Sequence, residues 1–281
     1  MKKKFDVIGF GSVCVDNIVV LQEYPLLGAK VEILKSQKQV GGSISTTLKA
    51  LSGFGAKTAI IGKIGDDDNG KFIKDDLFSS DISISNIICE KKSTSAYSQI
   101  WIDSKTGSKT TAYSLGTLTP IKSKDINFEK LPFVKFLHLN GENNDISIEM
   151  ANFYKKMGSY ISVDTGSFRK DSIDMLYFAD VIIMPKSFAE SLFYGDNTDS
   201  ERHCHLVLKV KEYFNEAELI VITGILFGLL NNWKIEDTLE FASAATALKC
   251  MHLGNTKLPN FLEVKNFIKN SRTCKNVEIL T

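Results

Sequence analysis

The stretch from Val40 to Gly70 contains the residue types that could bind a small ligand. Its Gly41-Gly42 pair comes directly before a helical pattern. Because glycine has no Cβ, the backbone there can adopt positive φ and approach a ligand closely, and a helix entrance favours anionic groups. The pair therefore predicts the floor of a small-molecule site. The alternative is a tight turn that binds nothing.

The elements that must position this pair follow from the apolar spacing. A helix is predicted where apolar residues recur at intervals of four and three, at Ile44, Leu48, Leu51 and Phe54. Ser43 is its predicted cap and Gly55 its predicted end. A buried strand is predicted over residues 58–62. The alternation of helix and strand in so short a stretch predicts an α/β core.

An acidic turn, Asp66-Asp67-Asp68, follows that strand and precedes a second predicted helix. We interpret these carboxylates mainly as a helix cap, because acidic side chains satisfy free N–H groups and favour the positive end of the helix dipole. An ion site is the alternative. A calcium loop of the EF-hand type does not fit, because Leu77 occupies the position of the bidentate glutamate.

The composition narrows the class of protein. With 43% hydrophobic and 24% charged residues and a formal net charge of +1, the chain is typical of soluble globular proteins, and no nucleic-acid or membrane partner is predicted. The apolar runs are too short to span a bilayer. The five cysteines are widely spread without a C-x-x-C pair, which argues against a disulfide framework and a zinc site. We predict reduced thiols and a cytoplasmic protein.

Two regions predict a small sheet beside the main fold. Alternating patterns over residues 30–40, 95–103 and 109–114 predict strands, and residues 104–108 have hairpin composition. We expect one domain over residues 1–281, with a lid built from strands at about 15–40 and 94–115. Because an exposed lid edge invites strand pairing, we also predict a homodimer that forms through the lid.

From residue 133 onward, strand patterns alternate with helix patterns. Strands are predicted at 136–139, 160–164, 181–184 and 219–223, and helices at 146–157, 172–178, 187–193, 202–214, 224–232, 235–251 and 261–268. Such alternation implies crossover connections and a doubly wound, mostly parallel sheet flanked by helices. Ligands are then expected beyond the carboxyl ends of the strands.

In this order the motifs resemble the ribokinase-like (PfkB) family of carbohydrate kinases over nearly the whole chain. The matching motifs are Gly11-Ser12 with Asp16, Gly41-Gly42, Ile61-Gly62-x-x-Gly65-x-Asp67-x-x-Gly70, and Ala242-x-Ala244-Ala245 with Gly254 and Pro259. The resemblance implies a doubly wound α/β domain with a β-sheet lid. It also implies transfer of the γ-phosphoryl group of ATP to a hydroxyl of a sugar or related small alcohol, with Mg²⁺.

The resemblance implies roles for individual residues. Asp16 would accept hydrogen bonds from sugar hydroxyls, and Gly41-Gly42 would contact the substrate through the backbone. Ser43 and Thr46 stand where the family usually has asparagine, so they would offer hydroxyls instead. The predicted nucleotide-binding residues are Lys186, Thr223 and Ser243, of which Lys186 replaces an asparagine of the family's N-x-x-E motif. No residue is predicted as a metal ligand.

One family motif does not occur in the sequence. D-T-x-G-A-G-D supplies an anion hole and the aspartate base in the family, and its expected position is the junction of Thr223 and Gly224. Phosphoryl transfer depends on positioning and on stabilising charge at the transferred group, so the catalytic residues stay unassigned. Two hypotheses follow. Either the natural chain has further residues at this junction and is an active kinase, or it is a catalytically inactive kinase-fold protein that binds sugar or nucleotide.

Two rival interpretations fail on the residues. Residues 9–14 nearly match a dinucleotide-binding fingerprint, but Cys14 replaces its third glycine and a strand pattern follows where a helix is required. The second rival is a metal site at His203-Cys204-His205. Adjacent residues of a helix point in different directions, so a solvated helix surface is the better interpretation.

Overall fold

The computed structural model describes residues 5–141, 144–166, 172–185, 188, 191–192, 219–220, 225–255 and 257–274. In chain order, the first half forms β1 (Val7–Phe10), β2 (Cys14–Leu21), β3 (Ile33–Gly41), α1 (Ser43–Gly53), β4 (Thr58–Gly65), α2 (Asp68–Ser79), β5 (Ile82–Glu90), β6 (Tyr97–Asp103) and β7 (Lys109–Ser114). The second half forms two short 3-10 turns (Ser123–Asp125, Phe128–Lys130), β8 (Phe136–Leu139), α3 (Asn144–Lys156), β9 (Tyr160–Asp164), α4 (Ile173–Leu176), β10 (Val181–Ile183), β11 (Leu219–Ile220), α5 (Ile225–Leu230), α6 (Ile235–Cys250) and α7 (Phe261–Cys274).

The main sheet of the described residues has seven strands in the order β11-β10-β9-β8-β1-β4-β5. Every pairing in it is parallel. The connection from β1 leads to β4 on one side, and the connection from β8 leads to β9 on the other. The order therefore reverses between β1 and β8, where a doubly wound sheet opens a crevice for ligands.

Helices cover both faces of this sheet, as the strand–helix alternation predicts. One buried cluster contains Ile8, Leu137 and Val163 with residues of α3 and α4. The other contains Val7, Phe136 and Val181 with residues of α1, α2, α5, α6 and α7. Because successive strand side chains point to opposite faces, β1, β4, β8 and β10 each contribute to both clusters. The predicted fold class, a mostly parallel α/β sheet flanked by helices with a small separate sheet, is confirmed.

We call the second sheet, β3-β2-β6-β7, the small sheet. β2 pairs antiparallel with β3 and parallel with β6, and β6 forms a hairpin with β7. The hairpin was predicted at this position. The side chains of β7 are largely exposed. The division into one domain with a lid stays a prediction.

The structure corrects the sequence predictions at one strand. The strand β5 was not predicted, because it lies at the edge of the main sheet and is only partly buried, so that it has no continuous apolar run. Asp81, at φ 57°, makes the tight turn from α2 into β5. The predicted helices over 187–193 and 202–214 lie largely outside the described residues.

Candidate functional site

The site lies at the crevice between β1 and β8. Gly11 follows β1 and Asn140 follows β8, and the Asn140 side chain packs so closely on Gly11 that a Cβ there would overlap it. Asn140 is 8% exposed. The sequence gives Gly11 a place in a motif but no signal for Asn140, which is a polar residue at a strand end.

Asp16 stands on the small sheet next to this crevice. It lies opposite Gln39 on β3 and Ser98 on β6, so the three side chains share one face of the small sheet. The thiol of Cys14 donates to Asp16 Oδ1 at 3.5 Å. Asp16 is half-buried. The carboxylate therefore keeps acceptor capacity for hydroxyl groups of a ligand.

Gly41 and Gly42 connect β3 to α1 beneath that carboxylate. A Cβ at Gly41 would overlap the Asp16 carboxylate, and a Cβ at Gly42 would meet the Ser12 carbonyl oxygen. Gly42 has φ 95° and ψ 141° and is the residue that precedes the first turn of α1. Both positions thus require glycine, one for space and one for its positive φ. The structure brings the predicted Asp16 and Gly41-Gly42 together.

The first turn of α1 differs from the prediction. Ser43 is the first residue of the helix rather than its cap, which is Gly42, and no side chain caps the N-terminus. The hydroxyl of Ser45 donates to the Gly41 carbonyl at 2.6 Å. Thr46 Oγ1 donates to the Gly42 carbonyl at 3.0 Å. These bonds to the preceding turn hold the glycine pair in place from inside the helix.

A segment distant in sequence reaches the same place. Asn255 Nδ2 donates to Thr46 Oγ1 at 2.9 Å, and the Asn255 backbone N–H donates to Gln39 Oε1 at 2.6 Å. Gln37 Nε2 donates to the Leu253 carbonyl and to Gln39 Oε1, each at 3.1 Å. Gln39 is 3% exposed. Sequence patterns gave no signal for the contacts with Leu253 and Asn255, which join residues more than 200 positions apart.

A cavity of about 290 Å³ opens beside Thr46. It is lined by Thr46, Thr47, Ala50, Leu51, Phe54, Asp164, Ile183, Leu226, Ala245, Thr246, Lys249, Asn255, Leu258 and Pro259. Most of the lining surface is apolar, and the polar groups come from Thr46, Thr47, Asp164, Thr246, Lys249 and Asn255. This combination of an apolar body and few polar groups is common in small-molecule sites.

Asp164 ends β9 and brings a carboxyl group to the cavity wall. Burial raises the pKa of this carboxyl group above its ordinary value, and a hydrogen bond from the Gly166 N–H at 3.3 Å opposes the rise. A carboxyl group in such surroundings is a candidate for binding or proton transfer. The sequence signal that could have found it is an aspartate at the end of a predicted parallel strand.

The sequence model of the pfkB family carbohydrate kinases matches residues 5–223. The chain belongs to this family of enzymes. The resemblance predicted from the four motifs is thereby confirmed. Sugar phosphotransfer, the coarser part of the predicted function, has the same support.

Curated relatives of this PfkB chain are sugar kinases. It is 24% identical over 330 residues to 5-dehydro-2-deoxygluconokinase of Clostridium botulinum, with 96% of this chain and 94% of that protein covered. It is 21% identical over 204 residues to mouse ketohexokinase, with 70% and 68% covered. The first alignment is longer than the 281 residues of this chain, so that relative has residues without a counterpart here.

Solved structures show the same fold. Arabidopsis thaliana ribokinase, solved in complex with ribose and ATP, superposes with a TM-score of 0.77 at 15% identity, over 94% of this chain and 99% of that one. At this level of identity the superposition supports the fold alone. The family match ends at residue 223, the position where the sequence lacks D-T-x-G-A-G-D.

The structure describes only one of the three predicted nucleotide-binding residues. Lys186 and Thr223 lie outside the described residues. Ser243 is exposed on α6, and its neighbours Ala245 and Thr246 line the cavity instead. A nucleotide-binding role for all three stays a prediction.

The acidic turn before α2 is a cap, as predicted. Asp67 is the N-cap of α2 and accepts from the Gly70 N–H at 2.9 Å. Burial would raise the pKa of Asp67, but hydrogen bonds from Ser95 and from the Gly70 and Ser95 N–H groups lower it overall. Within the described ranges, no three His, Cys, Asp or Glu side chains are arranged to hold a metal ion.

Two further observations concern bulk properties. None of the helices in the described part of the chain has the length and apolar character needed to cross a bilayer. Cys14, Cys89 and Cys250 form no disulfide bond. The cytoplasmic location stays a prediction.

Proposed function

We propose that this chain is an ATP-dependent phosphotransferase that acts on a hydroxyl of a sugar or related small alcohol. The observation that supports this most directly is the Asp16 carboxylate directly above Gly41 at the crevice of a PfkB fold. A carboxylate accepts from two neighbouring hydroxyls, which is the pattern that a sugar presents. Asp16 and Gly41-Gly42 bind the acceptor in this proposal, and the hydroxyls of Ser43 and Thr46 lie at its edge.

ATP is the proposed phosphate donor, with Lys186, Thr223 and Ser243 as contacts. The choice of ATP is supported by the ribokinase structure, which has the same fold and contains ATP. Mg²⁺ commonly binds through one or two carboxylates plus the phosphates of a nucleotide. Asp164 is the carboxylate among the described cavity residues, so the donor set fits an ion held largely by the nucleotide.

The first test is an ATP-consumption assay with Mg²⁺ over ribose, fructose and 5-dehydro-2-deoxygluconate, chosen from the relatives. Turnover with one acceptor that is lost in Asp16→Asn supports the proposal. The control is Asp75→Asn, an exposed position on α2 away from the site. If the wild-type protein turns over none of the acceptors, the proposed activity is contradicted.

A second candidate function is sugar or nucleotide binding without catalysis. It is favoured by one observation, which is that D-T-x-G-A-G-D does not occur in the sequence. Without an anion hole and a base, the stabilisation of the transferred phosphoryl group is lost. Calorimetry that detects ribose or ATP binding in a protein that consumes no ATP favours this candidate. An intact mass well above 31.2 kDa favours the active kinase.

We also propose a homodimer that forms through the small sheet, in a protein that binds neither nucleic acid nor membrane. The edge strand β3 exposes Ile33 (57%) and Leu34 (51%), and the edge strand β7 exposes Tyr113 (75%). Exposed apolar side chains on unpaired edges favour association with a second sheet. Sedimentation that shows only monomer at high concentration contradicts the dimer.

A further inference from the structure

The segment that follows α6 connects the small sheet to α1. Asn255 makes both contacts, with its backbone N–H on Gln39 of β3 and its side chain on Thr46 of α1. Gln37 adds a bond to the Leu253 carbonyl. Two backbone-to-amide bonds thus fix the segment against β3, so the Asn255 side chain is held in one place.

The hydroxyl of Thr46 has little capacity left for a ligand. A hydroxyl has one proton to donate, and that of Thr46 goes to the Gly42 carbonyl at 3.0 Å. One of its two acceptor positions takes the bond from Asn255. Thr46 can therefore accept one further hydrogen bond but cannot donate one, which makes it a poor replacement for an amide.

The amide of Asn255 has the capacity that Thr46 lacks. A primary amide has two N–H donors and a carbonyl oxygen with two lone pairs, and one N–H is used at Thr46. Among the residues that the structure describes, Asn255 Oδ1 accepts no hydrogen bond. Asn255 lines the cavity together with Asp164, whereas Asp16 and Gly41-Gly42 are not among the lining residues. Asn255 reaches the acceptor side through its bonds to Thr46 and Gln39. An amide at this place can accept from one ligand hydroxyl and donate to the next.

We propose that Asn255 determines acceptor specificity by supplying, from the far end of the chain, the amide that position 46 lacks. The inference rests on the proposed function, because it names a contact for the same acceptor. The ligand class is a polyol or sugar that presents two neighbouring hydroxyls. Gln39 is almost buried and lies opposite Asp16, so it links the position of Asn255 to that of the acceptor carboxylate.

The test compares acceptor binding by calorimetry, which needs no turnover, in four proteins: wild type, Asn255→Ala, Thr46→Asn/Asn255→Ala and Asn231→Ala. The probes are ribose, fructose and 5-dehydro-2-deoxygluconate. Asn231 is the matched control, because its Nδ2 donates to the Phe227 carbonyl at 2.8 Å as a purely local bond. Asn255→Leu, of similar volume, replaces Asn255→Ala if that variant does not fold.

We expect Asn255→Ala to weaken binding of the preferred acceptor about tenfold, the effect of one lost hydrogen bond to a ligand. The double variant should recover most of that loss, since the amide returns at position 46. Asn231→Ala should bind like the wild type. A purely structural Asn255 would instead lower the melting temperature without changing the order of preference among the three acceptors.

Unchanged acceptor binding in Asn255→Ala overturns the inference alone. The inference is also overturned if the double variant binds the acceptor as weakly as Asn255→Ala does, because an amide at position 46 then does not substitute for the one at 255. A wild-type protein that binds none of the three probes contradicts the proposed function and the inference together. The two failures are therefore distinguishable.

Discussion

The Asp16 carboxylate occupies the space in which a side chain at residue 41 would lie. Gly41 ends β3 and Asp16 is on the neighbouring strand β2, so the two positions are diagonal neighbours across this strand pair, where the small sheet meets α1. The absence of a Cβ at one residue is what allows the other to lie over the start of the helix. The proposed acceptor site depends on this pairing.

Gly41→Ala is therefore expected to displace the Asp16 carboxylate and to weaken acceptor binding by about a hundredfold or more, because a methyl group in this space forces a backbone or side-chain shift. Calorimetric titration with the preferred sugar measures the effect. Gly107→Ala is the comparison, at a hairpin glycine with open space around it. Its φ is also positive, so it carries backbone strain without a clash at the site. Equal binding by Gly41→Ala and the wild type contradicts the assigned role of this pair.

Local patterns predicted the part of the site that is local in sequence. The glycine pair, the apolar face of α1 and the acidic cap of α2 are each encoded within a few residues, and the structure has all three. The prediction of Ser43 as the cap of α1 was wrong. Gly42, at φ 95°, is the cap and has no side chain to accept a hydrogen bond, and Ser43 lies inside the first turn. Propensity favours serine at caps but does not register this backbone constraint.

The remainder of the site is built from contacts that periodicity does not encode. Asn255 meets Thr46 and Gln39, and Asn140 meets Gly11, only because parallel strands and a returning segment converge at one edge. The parallel pairing of β2 with β6 is similarly invisible, since no turn connects the two strands. Family resemblance did not supply these residues either, because Ser43 and Thr46 depart from the family pattern at this place.

Asp67 joins the start of α2 to the segment before β6. It accepts from the Gly70 N–H, and the Ser95 hydroxyl and N–H donate to it at 2.6 and 3.0 Å. Asp67→Ala should lower the free energy of unfolding by about 2 kcal/mol or more, because the cap is lost and buried Ser95 loses its partners. Urea denaturation measures the change. Asp68→Ala, in the same turn but exposed, should cost only about 0.5 kcal/mol through the helix dipole, and equal losses would contradict the role of the cap.

His138 should make the fold sensitive to acid. It is fully buried in β8, its Nδ1 lies 3.0 Å from Ser162 Oγ, and its Nε2 has no partner among the described residues. Burial lowers the pKa of His138 from 6.5 to about 4. Between these values the unfolded chain binds a proton that the folded chain does not. The contribution of neutral His138 to the free energy of unfolding is therefore complete above pH 6.5. It falls by about 3 kcal/mol in total as the pH drops toward 4.

His138→Asn should reduce this slope, since its side chain does not titrate. The free energy of unfolding at pH 7 and at pH 4.5 gives the comparison. His252→Asn, at an exposed position after α6, should keep the slope of the wild type. If His138→Asn keeps the wild-type slope, the acid sensitivity comes from other groups and the prediction is contradicted.

Asp164 should have the opposite dependence on pH. Burial raises its pKa above the ordinary 3.8, so the folded chain holds a proton that the unfolded chain releases at intermediate pH. The contribution of this carboxyl group to stability is then complete below pH 3.8 and is lost as the pH rises through its folded pKa. Asp164→Asn removes the cost of a buried charge and can keep the bond from the Gly166 N–H. The variant should be more stable than the wild type at pH 7.5, by an amount that shrinks as the pH falls.

Urea midpoints at pH 7.5, 6 and 5 measure this difference, with Asp75→Asn on the exposed side of α2 as the control that should show none. A less stable Asp164→Asn protein at pH 7.5 would mean that a cation stabilises the carboxylate in the folded state. Addition of ATP and Mg²⁺ then separates the two cases. If the Asp164 carboxylate faces the bound nucleotide and its ion, Asp164→Asn should no longer be more stable than the wild type when ATP and Mg²⁺ are present. The reason is that a divalent cation reverses the sign of the local pKa shift.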